Sequence, residues 1–522
     1  MKKFIVLLCL LPVLTYSQEI FQKKISHSNT LSINDMISLP DNGYLACGSI
    51  NANAPDSGCA VVVRFDSLMQ VQWCKGVNML ERDYFNCISP LSDGNWLVGG
   101  TSKQDFSSYY GGNLYKIDGS GNIIWHKLYS DSNDDATLGV FEQTDQTLVV
   151  IIRYGVTGQP TKVLKTDISG NLLGEFTLST LNTFPGVVGD CVTADGVGNY
   201  FIAGQTINST TGKYVFYISK TSDSAPIWYS EYDYARNSAF LYDIVLLSDG
   251  NIAVTGKIAD ETNTSINTIA VMKVDQVSGA VIWTREIKQE EDYNHAGYRI
   301  LPLDNGKMLI CGQANTENGL QAIATKLNAD GYVEWSKQYG DGPYNSFWLA
   351  SKVESNRYLF AGFAALNEGP YVVQTDETGQ SPCNTDVLEL TAFDIPATLY
   401  YQDIITGDPD VEVIEPPYEE MVFSLSENIL CSGSVSVEEM PGSTGFNIYP
   451  NPASEFISVE LNDKITTKYK IEIFNIYGVI VFSSVMESQT NVIETPFSPG
   501  IYFITITSFE NQTYYRQEFI IF

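Results

Sequence analysis

The sequence predicts an all-β protein. Its main part is a seven-bladed β-propeller with four strands per blade, followed by an acidic extension and a small C-terminal Ig-like β-sandwich. Three observations carry this. A strand–turn–strand unit recurs with a period near fifty residues, Asp-Gly or Asn-Gly turns alternate with it, and helix-like periodicity is scarce in a chain rich in Tyr and Phe.

The clearest copy of the unit is Asn113–Tyr129, with a turn at Asp118-Gly119-Ser120-Gly121 and a second strand carrying Trp125. The aromatic recurs at Trp73, Trp125, Phe176, Trp228, Trp283 and Trp335, in steps of 52, 51, 52, 55 and 52. Between copies lies Asp41-Asn-Gly-Tyr-Leu-Ala-Cys-Gly48, repeated at 93–100, 249–256 and 304–312 and more loosely at 145–150, 195–204 and 356–362. Such dipeptides between apolar runs are hairpin turns, because the turn needs positive φ. Seven turns and four short strands per unit read as seven blades. The last copy, Tyr371–Asp376, has no aromatic strand after it, whereas Phe21 lies 52 residues before Trp73. The strand around Phe21 is therefore expected to complete the last blade and close the ring.

In chain order, residues 1–17 have two lysines, an apolar run and a polar end, which read as a secretory signal peptide cut near Ser17–Gln18. No later run is long enough to predict a transmembrane segment. The formal charge is -31, which disfavours nucleic acid and anionic membranes as partners. The propeller is assigned to 18–382. From 383 to 445 there are thirteen Asp and Glu and no Lys or Arg. This is read as an acidic extension with two candidate strands, 387–393 and 419–425, ending in a linker at about 432–445.

The final segment, 446–522, holds several alternating apolar runs, as expected of a small sandwich. Its motifs are Tyr449-Pro450-Asn451-Pro452-Ala453, then Ile473–Gly478, then Ser498-Pro-Gly500-Ile-Tyr502-Phe503. In order and spacing they resemble the type A sorting domain of the Bacteroidetes type IX secretion system. The resemblance implies export through the periplasm, contact of 446–522 with the translocon and sorting machinery, and a mature form released or held at the outer-membrane surface. Its last strand departs from the family's frequent terminal lysines. The Lys-x-Asp-x-x-Gly-x-x-x-Trp repeats also resemble those of bacterial surface propellers, a likeness of style that implies no activity.

Chemistry is sparse. Cys383 and Cys431 bracket the acidic extension and are the favoured disulfide, since export permits one. Cys47 and Cys311 share a repeat position and are expected in the core, while Cys74 with Cys87 is an alternative pair on neighbouring strands. No metal site is expected, because Cys-x-x-Cys and His-Glu-x-x-His are both missing. His126 is read as a surface-strand residue and His295 as a solvated loop residue. No cofactor is expected. Calcium is the one ion the Asp118–Asn122 turn suggests, but the later Glu of a calcium loop is absent.

Loops joining each aromatic strand to the next unit should share one rim. They carry the candidate ligand-binding residues Arg82, Tyr84, Asp134, Asp135, Arg236, Asn237, Asp292, Tyr293, His295, Tyr344 and Trp348. Polar groups interleaved with aromatics suit a glycan or a peptide. The expectation is a secreted or surface-displayed binding or scaffolding protein. The alternative is a polysaccharide hydrolase or lyase, with a carboxylate pair drawn from Asp83, Asp134, Asp135 and Asp292.

Overall fold

In a computed structural model of the chain, residues 18–521 are described except 52–57, 105–109, 131–133, 155–160, 181–187, 237, 261–265, 291–292, 354–356, 365–368, 408–410, 436–445, 455, 463–467, 476–479, 487 and 509–513. Among them the secondary structure is β throughout, apart from one 3-10 turn at Asp304–Gly306. Two compact units result, Gln18–Ser434 and a second that includes Val435–Phe522.

The larger unit contains seven antiparallel sheets. Sheets I to VI use four consecutive strands each, within 30–78, 80–130, 135–180, 188–233, 239–288 and 295–339. Sheet VII has three strands within 345–375 and takes its fourth from Gln18–Ser26. In that pairing Phe21 lies opposite Gln374, and Lys23 opposite Val372. A single parallel pair, Gly58 with Arg82, links sheets I and II.

Neighbouring sheets share apolar cores, and the contacts run in a closed cycle. Cys87, Leu97, Val140 and Val150 fill the space between sheets II and III, and Phe201, Phe216, Leu241 and Val254 that between IV and V. The cycle returns on itself where Val61 and Val63 of sheet I meet Phe21, Leu349, Leu359 and Val372 of sheet VII. No sheet of this size holds a core alone, so each face depends on the next sheet.

Both repeat signals have a physical cause in this packing. The glycine that ends each of these Asp or Asn turns supports the aromatic of the preceding sheet: Trp73 on Gly121, Trp125 on Gly170, Trp228 on Gly279, Trp283 on Gly331 and Trp335 on Gly379. The Tyr four residues after three of these tryptophans donates to the same glycine carbonyl, as Tyr129 to Gly170 at 2.8 Å and Tyr232 to Gly279 at 2.8 Å. The glycine that ends each Asp-Gly segment faces a β-bulge in the first strand. A Cβ at Gly256 would collide with the Phe240 carbonyl, and Gly48, Gly100, Gly312 and Gly362 are confined in the same way. The two signals also touch, since Lys116 Nζ lies 2.6 Å from Asp93 and Lys273 Nζ 2.6 Å from Asp249.

The acidic extension differs from expectation. Instead of two strands it forms seven: Thr385–Val387, Thr391–Asp394, Thr398–Tyr401, Ile404–Gly407, Glu412–Ile414, Glu419–Val422 and Ser426–Val435. Each adds a fifth strand to the outer edge of one sheet, in the order VI, V, IV, III, II, I, VII. The last strand also takes up residues 432–435, which the sequence reading gave to a linker; residues 436–445 lie outside the described set. Cys383 and Cys431 are disulfide-bonded, with Cα atoms 6.3 Å apart.

Cys74 and Cys87 are not paired, contrary to the alternative considered. Cys74 faces the core shared by sheets VII and I, whereas Cys87 faces the core between II and III. Cys47 and Cys311 are buried and free.

The smaller unit has a three-stranded sheet within 446–494 and a four-stranded sheet within 469–521. Ile457, Val459, Ile471, Ile504 and Phe519 from both sheets share one apolar core.

Candidate functional site

Each first strand of sheets I to VII carries one extra residue at its bulge: Asn34, Asn86, Leu138, Asp190, Tyr242, Tyr298 and Trp348. Apart from the Gly58–Arg82 pair, these strands have no ladder on one side among the described residues, and they contact one another in cyclic order. At Tyr242, Tyr298 and Trp348 the extra residue leaves the regular alternation of the sheet and meets its neighbours on that side, whereas Leu138 packs against the core between sheets III and IV.

Three consecutive bulges are aromatic. The Tyr242 and Tyr298 rings lie 4.9 Å apart, and the Tyr298 and Trp348 rings 6.1 Å. Phe240, two residues before the first bulge, stacks on Tyr214 at 5.8 Å. Opposite Phe240 in register stands Lys257, whose Nζ lies 5.1 Å from the Phe240 ring centre and 5.8 Å from that of Tyr242. The arc stays accessible, with Trp348 49% exposed. Its indole N–H donates to Ser346 Oγ at 2.9 Å, which fixes the ring. Burial pushes the Tyr298 hydroxyl up to about 12 and the Lys257 ammonium below its usual range.

Next to the bulges is an ionic cluster. Arg299 of sheet VI reaches Asp35 of sheet I at 3.0 Å and Asp243 of sheet V at 3.6 Å. Each carboxylate also accepts a backbone N–H from the following sheet, Asp35 from Ile88 at 3.0 Å and Asp243 from Ile300 at 2.9 Å. Burial raises the Asp243 carboxyl, and the Asp243 charge holds Arg299 above its ordinary range. Arg299 sits deep among protein atoms yet keeps 37% of its side chain open to solvent. The cluster stitches non-adjacent sheets together.

The residues singled out in the sequence separate into distinct roles. Asp83, Asp135, His295 and Asn345 occupy one register position, two residues before the bulge pair of their sheets. All are buried and fasten backbone or neighbouring strands. Asp83 accepts the Met79 N–H at 2.7 Å, Asn345 donates to the Gly342 carbonyl at 2.8 Å, and Asp135 meets Lys162 at 2.7 Å.

His295 is thus no solvated loop residue. It begins a strand, is 2% exposed and lies 3.0 Å from Gln289 Oε1, and burial depresses its pKa to about 4. His126 is likewise not a free surface residue. Its Nε2 lies 2.7 Å from the Pro416 carbonyl and its ring stacks on Tyr115 at 5.4 Å, because the extension covers that strand.

Asp134 accepts the Tyr110 N–H at 2.9 Å, and Arg236 lies 3.4 Å from Glu286. Arg82 is exposed, Tyr84 and Tyr293 are half-buried, and Tyr344 is exposed. Asn237 and Asp292 lie outside the described residues. In the Asp118 turn the carboxylate accepts the N–H groups of Ser120 and Asn122, at 2.8 and 2.9 Å.

Sequence reasoning named Trp348 but missed Tyr242, Tyr298, Phe240 and Lys257. A signal was present. The bulge residue stands fourteen positions before the closing glycine in six sheets: 34 and 48, 86 and 100, 190 and 204, 242 and 256, 298 and 312, 348 and 362.

In the smaller unit the Tyr449-Pro-Asn-Pro-Ala453 segment lies along the final strand. The Tyr449–Pro450 and Asn451–Pro452 bonds are cis. Asn451 Oδ1 accepts the Ile520 N–H at 2.9 Å, and the Ala453 N–H donates to the Ile520 carbonyl at 2.7 Å. Tyr502, two residues after Gly500, packs between Phe497 and Phe519 and donates to the Ser498 carbonyl at 2.7 Å. Tyr449 is exposed, and Gly478 lies outside the described residues.

Residues 447–521 match the family described as "Secretion system C-terminal sorting domain". A sorting domain of this kind marks export by type IX secretion, so the chain passes through the periplasm to the cell surface or the medium and engages that system's machinery. A comparison with curated proteins finds no match.

Among solved structures the chain is similar to PorZ of Porphyromonas gingivalis, described as an essential bacterial surface component of the type IX secretion system. The identity is 9% and the TM-score 0.29, over 94% of this chain and 81% of that one. A protein of unknown function from Dyadobacter fermentans is 11% identical at TM-score 0.36, over 71% and 99%. The tail fibre of Staphylococcus aureus phage P68 is 8% identical at TM-score 0.22, over 71% and 96%. These likenesses are too distant to carry function. Among the described residues no helix is long and apolar enough to cross a membrane.

Proposed function

We propose that residues 18–434 form a seven-bladed β-propeller that acts, after type IX export, as a binding protein for glycans. The smaller unit is read as its Ig-like sorting domain, and residues 1–17 as its signal peptide. In support of the propeller are the seven inter-sheet cores in cyclic order and the fourth strand that Gln18–Ser26 lends to sheet VII. The observation that carries the binding reading is the arc of Tyr242, Tyr298 and Trp348, three ring faces in succession on the inner edge. Stacked, partly exposed aromatics suit the apolar faces of sugar rings, and Lys257 beside them supplies a charge.

A hydrolase needs two carboxylates facing one space. Asp83 and Asp135 are buried and already bonded to Met79 and Lys162, and no observation favours that alternative.

The test is glycan-array binding by the mature chain with a reducing-sugar assay beside it. Binding that falls at least tenfold in Tyr298→Ala, with no sugar released, is the expected result. Turnover abolished by Asp134→Asn, or binding indifferent to Tyr298, would overturn the reading.

A further inference from the structure

Resting on the glycan reading above, we infer that Lys257 makes the site selective for carboxylate-bearing sugars, so that the ligand is a uronate-containing oligosaccharide. The chain has 30 Lys and Arg against 61 Asp and Glu, so a basic side chain seldom lacks an acid nearby. Several lysines of the large unit are matched: Lys24 with Asp341, Lys116 with Asp93, Lys162 with Asp135, Lys273 with Asp249 and Lys288 with Asp260.

Lys257, like Lys326 on the Tyr358 ring, is not matched in this way, and of the two it is Lys257 that stands beside the bulge aromatics. Among the described residues its ammonium has no carboxylate partner and rests on the rings of Phe240 and Tyr242. Aromatic faces compensate a cation only in part. The half-buried group has given up water without gaining an anion, and its depressed pKa reports that same deficit. A ligand carboxylate arriving there forms a charge-assisted hydrogen bond in a partly water-free setting, where such bonds are strong.

The neighbouring groups set the rest of the ligand. From Lys257 the aromatic surface continues through Tyr242 and Tyr298 to Trp348, across three sheets. That is a row of stacking platforms, which a chain of rings uses fully and a single small anion does not. The carboxylates near the bulges are held by a cation of their own: Asp243 and Asp35 share Arg299, which offsets one of their two charges.

The experiment measures binding of the mature full-length chain to three probes by calorimetry: a galacturonate tetramer, a neutral glucose tetramer and a poly-glutamate peptide. Lys257→Met keeps the stem packed on Phe240, and Lys257→Arg keeps the charge. Expected are preference for the uronate, at least a tenfold loss in Lys257→Met, near wild-type affinity in Lys257→Arg, and weakening of the wild type by salt. Equal affinity for both tetramers, with Lys257→Met indifferent, sinks the uronate assignment and leaves the glycan reading standing. Poly-glutamate binding as tightly as the uronate, with the same Lys257 dependence, overturns both, as does binding of neither sugar. Should Lys257→Met fail to fold, the salt dependence of the uronate against that of the neutral tetramer decides the matter in the wild type.

Discussion

The seven sheets and the acidic segment along their outer edges are both β-structure, yet they are held in opposite ways. Each sheet carries its own hydrogen-bonded strands and two apolar faces, and its repeat residues meet the next sheet through dry contacts such as Trp283 on Gly331. The extension strands are mostly three or four residues long, mostly lack a core of their own, and expose Val387, Tyr401 and Val422. They exist by borrowing the edge of a sheet already formed. Their acids meet the basic residues of the outer strands, as Asp394 meets Arg285 at 2.7 Å. The result is that the outer edge of each sheet is capped by a strand of an acidic segment, mostly short and with prolines between strands, the kind of edge that resists pairing with another chain.

The comparison breaks hardest at the charged pairs. Lys162 and Asp135, inside sheet III, are both 0% exposed at the side chain. Asp135→Ala strands a buried ammonium, and a loss of about 3–5 kcal/mol is expected, read as a fall in the denaturation midpoint. A loss below about 1 kcal/mol would mean that water reaches Lys162 and the sheets are more loosely packed than their contacts suggest.

A smaller effect should follow from opening the Cys383–Cys431 bridge, which closes a loop with strands on all seven sheets. By chain entropy a bridge of sequence separation 48 contributes about 2–4 kcal/mol. In Cys383→Ser/Cys431→Ser, hydrogen exchange should speed up across 385–431 while the strands within 239–339 keep their protection. Uniform loss of protection would show that the extension and the sheets unfold as one.

Two buried groups at the same register position sharpen the picture through pH. Burial holds Asp83 at about 6, above its unfolded 3.8, so the folded chain keeps a proton that the unfolded chain releases. Stability from Asp83 is therefore greatest at acid pH and falls as pH rises from about 4 to about 6. His295 is held at about 4, below its unfolded 6.5, so the unfolded chain binds the extra proton, and stability falls as pH drops from about 6.5 to about 4. Each effect is on the order of 3 kcal/mol at 1.36 kcal/mol per pKa unit, and they oppose one another. His295→Asn should thus grow more stable on acidification, and Asp83→Asn less stable, in melts between pH 4 and 6.5. Parallel slopes in the two variants would refute the assignment.

The same contrast explains what could be read from the sequence. The sheets were legible because their contacts recur: one Trp needs one Gly in the next sheet, and one bulge needs one Gly opposite, so the two leave paired, periodic traces. Strands such as Thr398–Tyr401 leave none, since three or four residues show no alternation and their partners lie in another segment. His126 misled for that reason, being covered by an extension whose strands could not be seen. Tyr242 and Tyr298 went unnoticed because aromatics within apolar strands look like core until the bulge turns them to the inner edge. The rim loops were weighted instead, and several of their residues, among them Asp135 and His295, are structural fasteners.

The smallest effect belongs to the extension's own ion pairs. Asp394 is 72% exposed at the side chain, and its partner Arg285 also lies over the rings of Trp283 and Tyr332, at 5.1 and 4.4 Å. Removing the carboxylate leaves Arg285, itself buried, stacked on both rings and still donating to the Thr284 carbonyl at 2.8 Å, so the cation keeps partners. Asp394→Ala should cost less than about 1 kcal/mol and lose what little it costs at high salt. The informative reading is the ratio to Asp135→Ala, measured in the same denaturant series. If the two losses are alike, the extension strands are as deeply embedded as the sheets, and the division between a self-supporting ring and a borrowed edge fails. If Asp394→Ala is silent while the disulfide variant is not, the extension is held by backbone pairing and its covalent closure, and its charge serves to keep the outer edges apart from other chains.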